Sequence, residues 1–99
     1  MTIHQIECFL EAARTLNFTE AANHLYISQQ GLSRQIASLE KELELRLFDR
    51  TTRDVRLTRS GELLLWRWKD IPKEIYDSVD MAREEGREPN AGLICLWWA

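Results

Sequence analysis

The stretch that most limits the fold is "FTEAANHLYISQQGLSRQIASLEKEL", Phe18 to Leu43. Its second half sets Leu32, Ile36, Leu39 and Leu43 at steps of four, three and four, the spacing of one buried helix face. Its first half offers Ala21, Ala22 and Leu25 as the inner side of a shorter helix, and the small alanines let another helix come close. Tyr26–Ile27 between them reads as a turn. Thr19 is a candidate N-cap for the short helix and Ser28 for the long one, since a hydroxyl can accept from a free first-turn amide. Upstream, Ile3, Ile6, Phe9, Leu10 and Ala13 recur at helical spacing, which predicts a first helix from about Thr2 to Leu16 with Asn17 as its stop.

Downstream, "LRLFDRTTRDVRLT" reads as two short strands, Phe48 to Arg50 and Val55 to Thr58, around the polar turn Thr51–Thr52–Arg53–Asp54. A three-helix core followed by a two-stranded wing is a winged helix-turn-helix, so the expected class is mainly α. Ser60–Gly61–Glu62 then opens a further helix. Leu64, Trp68, Ile71 and Ile75 recur at heptad-like spacing, with Val79 and Ala82 close to the same stripe. Pro72 lacks an amide hydrogen and crowds the preceding turn, which predicts a kink or break near Ile71. "REEGREPN" is a charged linker, and "AGLICLWWA" reads as a short apolar strand.

The formal net charge of -3 argues against a polyanion partner if taken as an average. The distribution says otherwise. Arg46, Arg50, Arg53, Arg56 and Arg59 cluster against only Asp49 and Asp54, and a polyanion responds to the local patch. On the long helix Gln30, Arg34 and Lys41 point away from the apolar stripe, with Gln29 and Ser33 on its flank. A helix fits the major groove, where base edges carry distinguishable donors and acceptors. Glutamine amides both donate and accept, Ser33 is short and adaptable, and Arg34 can fork onto phosphate or guanine. The helix starts at Thr19 and Ser28 can receive phosphate oxygens. Arg53 at the wing tip can reach a minor groove or a phosphate, and Arg50 stands at the wing base. The competing reading is a protein-binding or dimerisation module that uses the helix-turn-helix only as scaffold.

These residues resemble the DNA-binding domain of LysR-type transcriptional regulators. The resemblance runs from Ile3 to about Leu65 and rests on "FTEAA", "SQQGLSRQI", "LEKELELRLFDR" and "VRLTRSGE" taken together. It implies a winged helix-turn-helix that binds promoter DNA, with the helix-turn-helix at about 18–37 inside a domain of residues 1–58. It implies a dimerisation or linker helix at 59–85 that pairs two chains on inverted repeats, through Leu64, Trp68, Ile71, Ile75 and Val79. Residues 86–99 would be a hinge and the truncated first strand of an effector domain, so a small-molecule effector is expected only in a full-length relative. By position, the implied DNA contacts fall on Thr19, Gln29, Gln30, Ser33, Arg34, Arg50 and Arg53, with Ser28 at the helix start. The chain departs from the family at Gln30 and Gly31, where proline and then alanine are usual, and at Pro72, Trp66 and Trp68.

Other chemistry is poorly represented. His4 and Cys8 are spaced i and i+4, but two ligands do not make a zinc site, and His24 is not placed to add a third. No Gly-rich phosphate loop and no serine spaced with a histidine and a carboxylate is present. An enzyme, a metal site and a cofactor are therefore not expected. Cys8 and Cys95, without a secretory leader, suit a reducing compartment, and no apolar run is long enough to cross a bilayer. A cytoplasmic protein without a membrane partner is the expectation.

Overall fold

The computed structural model describes residues 1–50 and 54–86, and the chain divides into two units, residues 1–69 and 70–99. The first unit is a winged helix-turn-helix. Helix α1 (Ile3–Thr15) opens with a reciprocal cap: Gln5 N–H donates to Thr2 Oγ1 at 3.1 Å, and Thr2 N–H donates to Gln5 Oε1 at 3.2 Å. Helix α2 (Phe18–His24) is capped by Asn17, whose Oδ1 accepts from Glu20 N–H at 3.0 Å. Thr19, expected as that cap, is instead the second residue of the helix. Leu16 ends α1 in the left-handed conformation at φ 52, so extended Asn17 comes next and its side chain is already in capping position. Helix α3 (Gln29–Leu43) starts as expected at Ser28, whose Oγ accepts from Gly31 N–H at 2.9 Å.

Each of these three helices is followed by a left-handed residue that is not glycine: Leu16, Tyr26 at φ 56 and Glu44 at φ 55. Such a conformation costs about 1–2 kcal/mol per residue. The cost is tolerated because the buried faces fix where each helix must turn. Leu32, Ile36 and Leu39 of α3 are fully buried against Phe9, Leu10 and Ala13 of α1 and Ala21 and Ala22 of α2, while Leu43 packs half-buried at the rim. Thus the expected stripe of α3 is its core face.

The wing consists of β1 (Phe48–Asp49) and β2 (Arg56–Leu57), antiparallel, with Phe48 opposite Leu57 and Asp49 opposite Arg56. Both strands are shorter than their sequence suggests. Arg50 leaves the ladder to lie over the Phe18 ring, and Thr58 serves as a helix cap. The expected tip residues Thr51, Thr52 and Arg53 lie outside the described residues. Glu40 of α3 secures the first strand: its Oε2 accepts from Leu47 N–H at 2.7 Å and from Phe48 N–H at 3.4 Å. Aromatic rings tie the wing to the body. Phe48 stands edge-on to Phe18 at 5.3 Å and to Phe9 at 5.7 Å, and Phe9 meets Trp68 edge-on at 6.0 Å.

Helix α4 (Arg59–Trp68) closes the unit. Its cap, Thr58, is used three times. Thr58 Oγ1 accepts from Gly61 N–H at 3.0 Å and donates to the Arg46 carbonyl, and Thr58 N–H donates to Leu47 O at 3.0 Å. Leu64, Leu65 and Trp68 turn inward onto the core. Leu64 and Trp68, expected on a dimer stripe, are half-buried against the core of their own chain. Steps of one and three place all three on the α1 side, and the ring of Phe9 gives Trp68 a partner inside its own chain. The apolar residues that α4 leaves outside are Leu63, 58% exposed, and Trp66, 68% exposed.

The second unit contains helix α5 (Ile71–Gly86). The helical stretch expected from 59 to 85 is therefore two helices, interrupted at Lys69–Asp70. Pro72 explains the break: it is the second residue of α5, in the first turn, where no intrahelical amide bond is required of it. The expected strand at 91–99, with Cys95, Trp97 and Trp98, lies outside the described residues.

Cys8 belongs to the core. Its thiol is fully buried, and burial, reinforced by the Glu7 carboxylate, pushes its pKa from 9.0 up to about 11. His4 Nε2 lies 3.7 Å from Cys8 Sγ, and no third metal-type ligand joins the pair among the described residues. Native Cys8 is expected to resist alkylation at pH 8 and to react once the chain is unfolded, as mass spectrometry of the labelled peptide will show. The raised pKa favours the folded state below pH 9.0, and that contribution is lost as pH climbs through about 11.

Candidate nucleic-acid interface

Three elements meet beside the start of α3. Thr19 of α2, Gln29 and Ser33 of α3, and Arg50, Asp54 and Val55 of the wing line one open groove of about 510 Å³, with Leu16, Asn17 and Phe18 at its end. Four of the eight sequence-predicted contacts, Thr19, Gln29, Ser33 and Arg50, are thus brought together. Gln30 and Arg34 are exposed on α3 but do not line this groove, and Ser28 is exposed and occupied as the cap. Arg53 lies outside the described residues.

The groove is organised internally. The Thr19 hydroxyl donates to Gln29 Oε1 at 3.1 Å, across the gap between α2 and α3. A carbonyl oxygen has two lone pairs, so Gln29 keeps one acceptor site and both amide hydrogens for a partner. The Arg50 guanidinium carbon sits 4.6 Å above the centroid of Phe18. That ring attracts the cation through its negative face without using any of its N–H donors. Arg46 and Arg50 also flank a second hollow of about 400 Å³ with Phe48, Asp49 and Thr58. Arg34, Arg46, Arg50, Arg56 and Arg59 are all exposed.

Two features of this surface escaped sequence reasoning. The Asn17 cap was legible: Asn-x-x-Glu at Asn17 to Glu20 is the spacing of a capping signature. The Phe18–Arg50 contact was not, since nothing local links positions so far apart. Asp54 also lines the groove.

The chain is similar to known proteins over this same region. Residues 3–62 match the family model of the bacterial regulatory helix-turn-helix protein, lysR family. An uncharacterised HTH-type transcriptional regulator of Azotobacter vinelandii, from the ibpB-leuC intergenic region, is 43% identical over 78 residues, covering 79% of this chain and 54% of its own length. Among solved structures, the BenM DNA-binding domain in complex with catB site 1 DNA superposes with a TM-score of 0.81 at 30% identity, over 89% of this chain and 98% of that one. The CbnR DNA-binding domain in complex with DNA gives a TM-score of 0.80 at 31% identity, over 88% of this chain and all of that one, 100%. The chain spans about a quarter to about half of the length of the curated relatives it matches. With a capped two-helix reader, an arginine-bearing wing and a family match over residues 3–62, the chain belongs to the lysR family of bacterial regulatory helix-turn-helix proteins.

Proposed function

We propose that this chain is a sequence-specific DNA-binding transcription regulator that inserts α3 into the major groove and sets its wing on the backbone or in the minor groove. The observation that carries the reading is the groove in which Gln29 and Ser33 of α3 meet Arg50 of the wing. Base-reading and phosphate-holding groups then act together from a fixed body. Both similar solved domains named above are bound to DNA. The reading assigns no catalytic step, and it places the protein in the cytoplasm with promoter DNA. Among the described residues no helix is long and apolar enough to cross a membrane.

The working unit is a homodimer on an inverted repeat, joined through residues 59–85. Domain limits at 1–58 and 59–85 follow from this division of labour. Leu64 and Trp68 of α4 with Ile71, Ile75 and Val79 of α5 form the proposed pairing stripe. Leu63 and Trp66, exposed on α4, add apolar surface for a partner. Half-sites should lie about one helical turn, ~34–36 Å, apart or a multiple of it.

Titration of duplex DNA at several salt concentrations tests the proposal. Each phosphate contact should add about 0.9 to the log–log slope of affinity against salt. Arg34→Ala should weaken all sequences alike. Gln29→Ala should change base preference, by roughly 1–3 kcal/mol at one position if a bidentate pair is lost. A flat salt response, or an unchanged preferred sequence in Gln29→Ala, would sink the direct-readout model.

A further inference from the structure

Phe18 and Thr19 are neighbours in the first turn of α2, yet each holds a side chain from a different element. Phe18 presents its ring to Arg50 of the wing, 4.6 Å from centroid to guanidinium carbon. Thr19 donates to Gln29 of α3 at 3.1 Å. The Phe18 ring is itself fixed, because Phe48 packs edge-on against it at 5.3 Å and the residue is only 9% exposed. Thr19 is likewise held at one radius, inside the helix that Asn17 caps. Both partners, in contrast, are long and exposed, with several rotatable bonds that solvent would otherwise leave free.

We infer that the Phe18–Thr19 step is a positioning device, in which the Phe18 ring aims the Arg50 guanidinium and the Thr19 hydroxyl aims the Gln29 amide before any nucleic acid arrives. The inference rests on the DNA-binding reading and adds roles to it: Phe18 touches no DNA but acts through Arg50, and Thr19 acts through Gln29. The ring contact suits this task. It orients a cation face-on while leaving its N–H edge for phosphate oxygens. The hydroxyl contact suits its own, occupying one lone pair of Gln29 Oε1 and so selecting which way the amide faces a base edge. Because the two contacts begin on adjacent residues, the wing and the recognition helix are set in register with each other.

The two halves have separable signatures. Losing the ring contact should lower affinity for all sequences and flatten the salt slope, with base preference kept. Losing the hydroxyl contact should blur base preference and leave the salt slope alone. The experiment is a pair of double-mutant cycles on the full chain, read by duplex titration against the preferred and the single-base-changed site. Phe18→Leu is combined with Arg50→Ala, and Thr19→Val with Gln29→Ala. The ring–cation coupling should appear as roughly a two- to fivefold shortfall from multiplicative behaviour. The hydroxyl–amide coupling should appear as roughly a two- to tenfold loss of discrimination that vanishes in the Gln29→Ala background. Thr19→Ser should restore it.

Should Phe18→Leu fail to fold, a ring-fluorinated phenylalanine at position 18 keeps the packing and weakens the negative face. The same shortfall should follow. Wild-type binding with multiplicative effects in both cycles would overturn this inference alone. So would a Thr19→Val loss that persists without Gln29 and is equal on every sequence, since Thr19 would then be touching the backbone directly. A wild-type chain that binds no duplex in any salt would overturn the DNA reading, and this inference with it.

Discussion

Phe48→Ala is expected to destabilise the fold by about 3–5 kcal/mol, the range for truncating a buried phenylalanine. Phe48 is 1% exposed and stands edge-on to both Phe9 and Phe18. It is also the strand residue whose N–H turns toward Glu40 and whose partner across the wing is Leu57. Truncation therefore opens a cavity at the junction of α1, α2 and the wing. Native domains are stable by only about 5–15 kcal/mol, so a large share of the margin would go. Thermal and urea unfolding followed by circular dichroism measure this directly. Phe48→Leu, which keeps most of the volume, should cost much less. A Phe48→Ala chain that melts close to wild type would show that the ring ladder is not the joint between wing and body.

The second large effect is expected at Gly61. A β-carbon there would lie 2.2 Å from the Leu47 carbonyl oxygen and 2.9 Å from Leu57 Cδ2. The first obstacle is backbone, and Thr58 holds that same backbone through two hydrogen bonds, so it cannot step aside cheaply. Overpacking of this kind costs about 1–3 kcal/mol, more than the ~1 kcal/mol that alanine returns through helix propensity. Gly61→Ala should thus lower stability despite being a better helix former, and Gly61→Val should do worse. Gly86 supplies the control: a β-carbon there meets nothing within 4 Å. Gly86→Ala should leave the melting temperature unchanged or slightly raised. Equal behaviour of the two glycines would remove the close approach of α4 to residue 47 from the account.

The periodic elements were legible in the chain. Steps of three and four marked α1 and α3 to within a residue or two, and Ser28 was identifiable as the cap of α3. Pro72 announced the break between α4 and α5. What the chain left open were choices between nearby positions. Thr19 and Asn17 are both good caps, and the left-handed turn at Leu16 decided for Asn17. Leu63, Leu64, Leu65, Trp66 and Trp68 offer an apolar surface on more than one side of α4. Only the presence of Phe9 and the rest of the core shows that Leu64, Leu65 and Trp68 go inside.

The candidate site divides along the same line. Gln29, Ser33 and Arg34 could be named from the chain because helical phase is a local property: once the buried face of α3 is known, the outward residues follow. That Thr19 would bond Gln29, and that Arg50 would settle on Phe18, could not be named. These contacts join residues 10 and 32 positions apart, and their geometry depends on how α2, α3 and the wing pack around Phe48. Local sequence carries the period and the caps, because those depend on neighbours a few residues away. Which side chains face each other across elements is set by packing of the whole core, and so belongs to the tertiary structure.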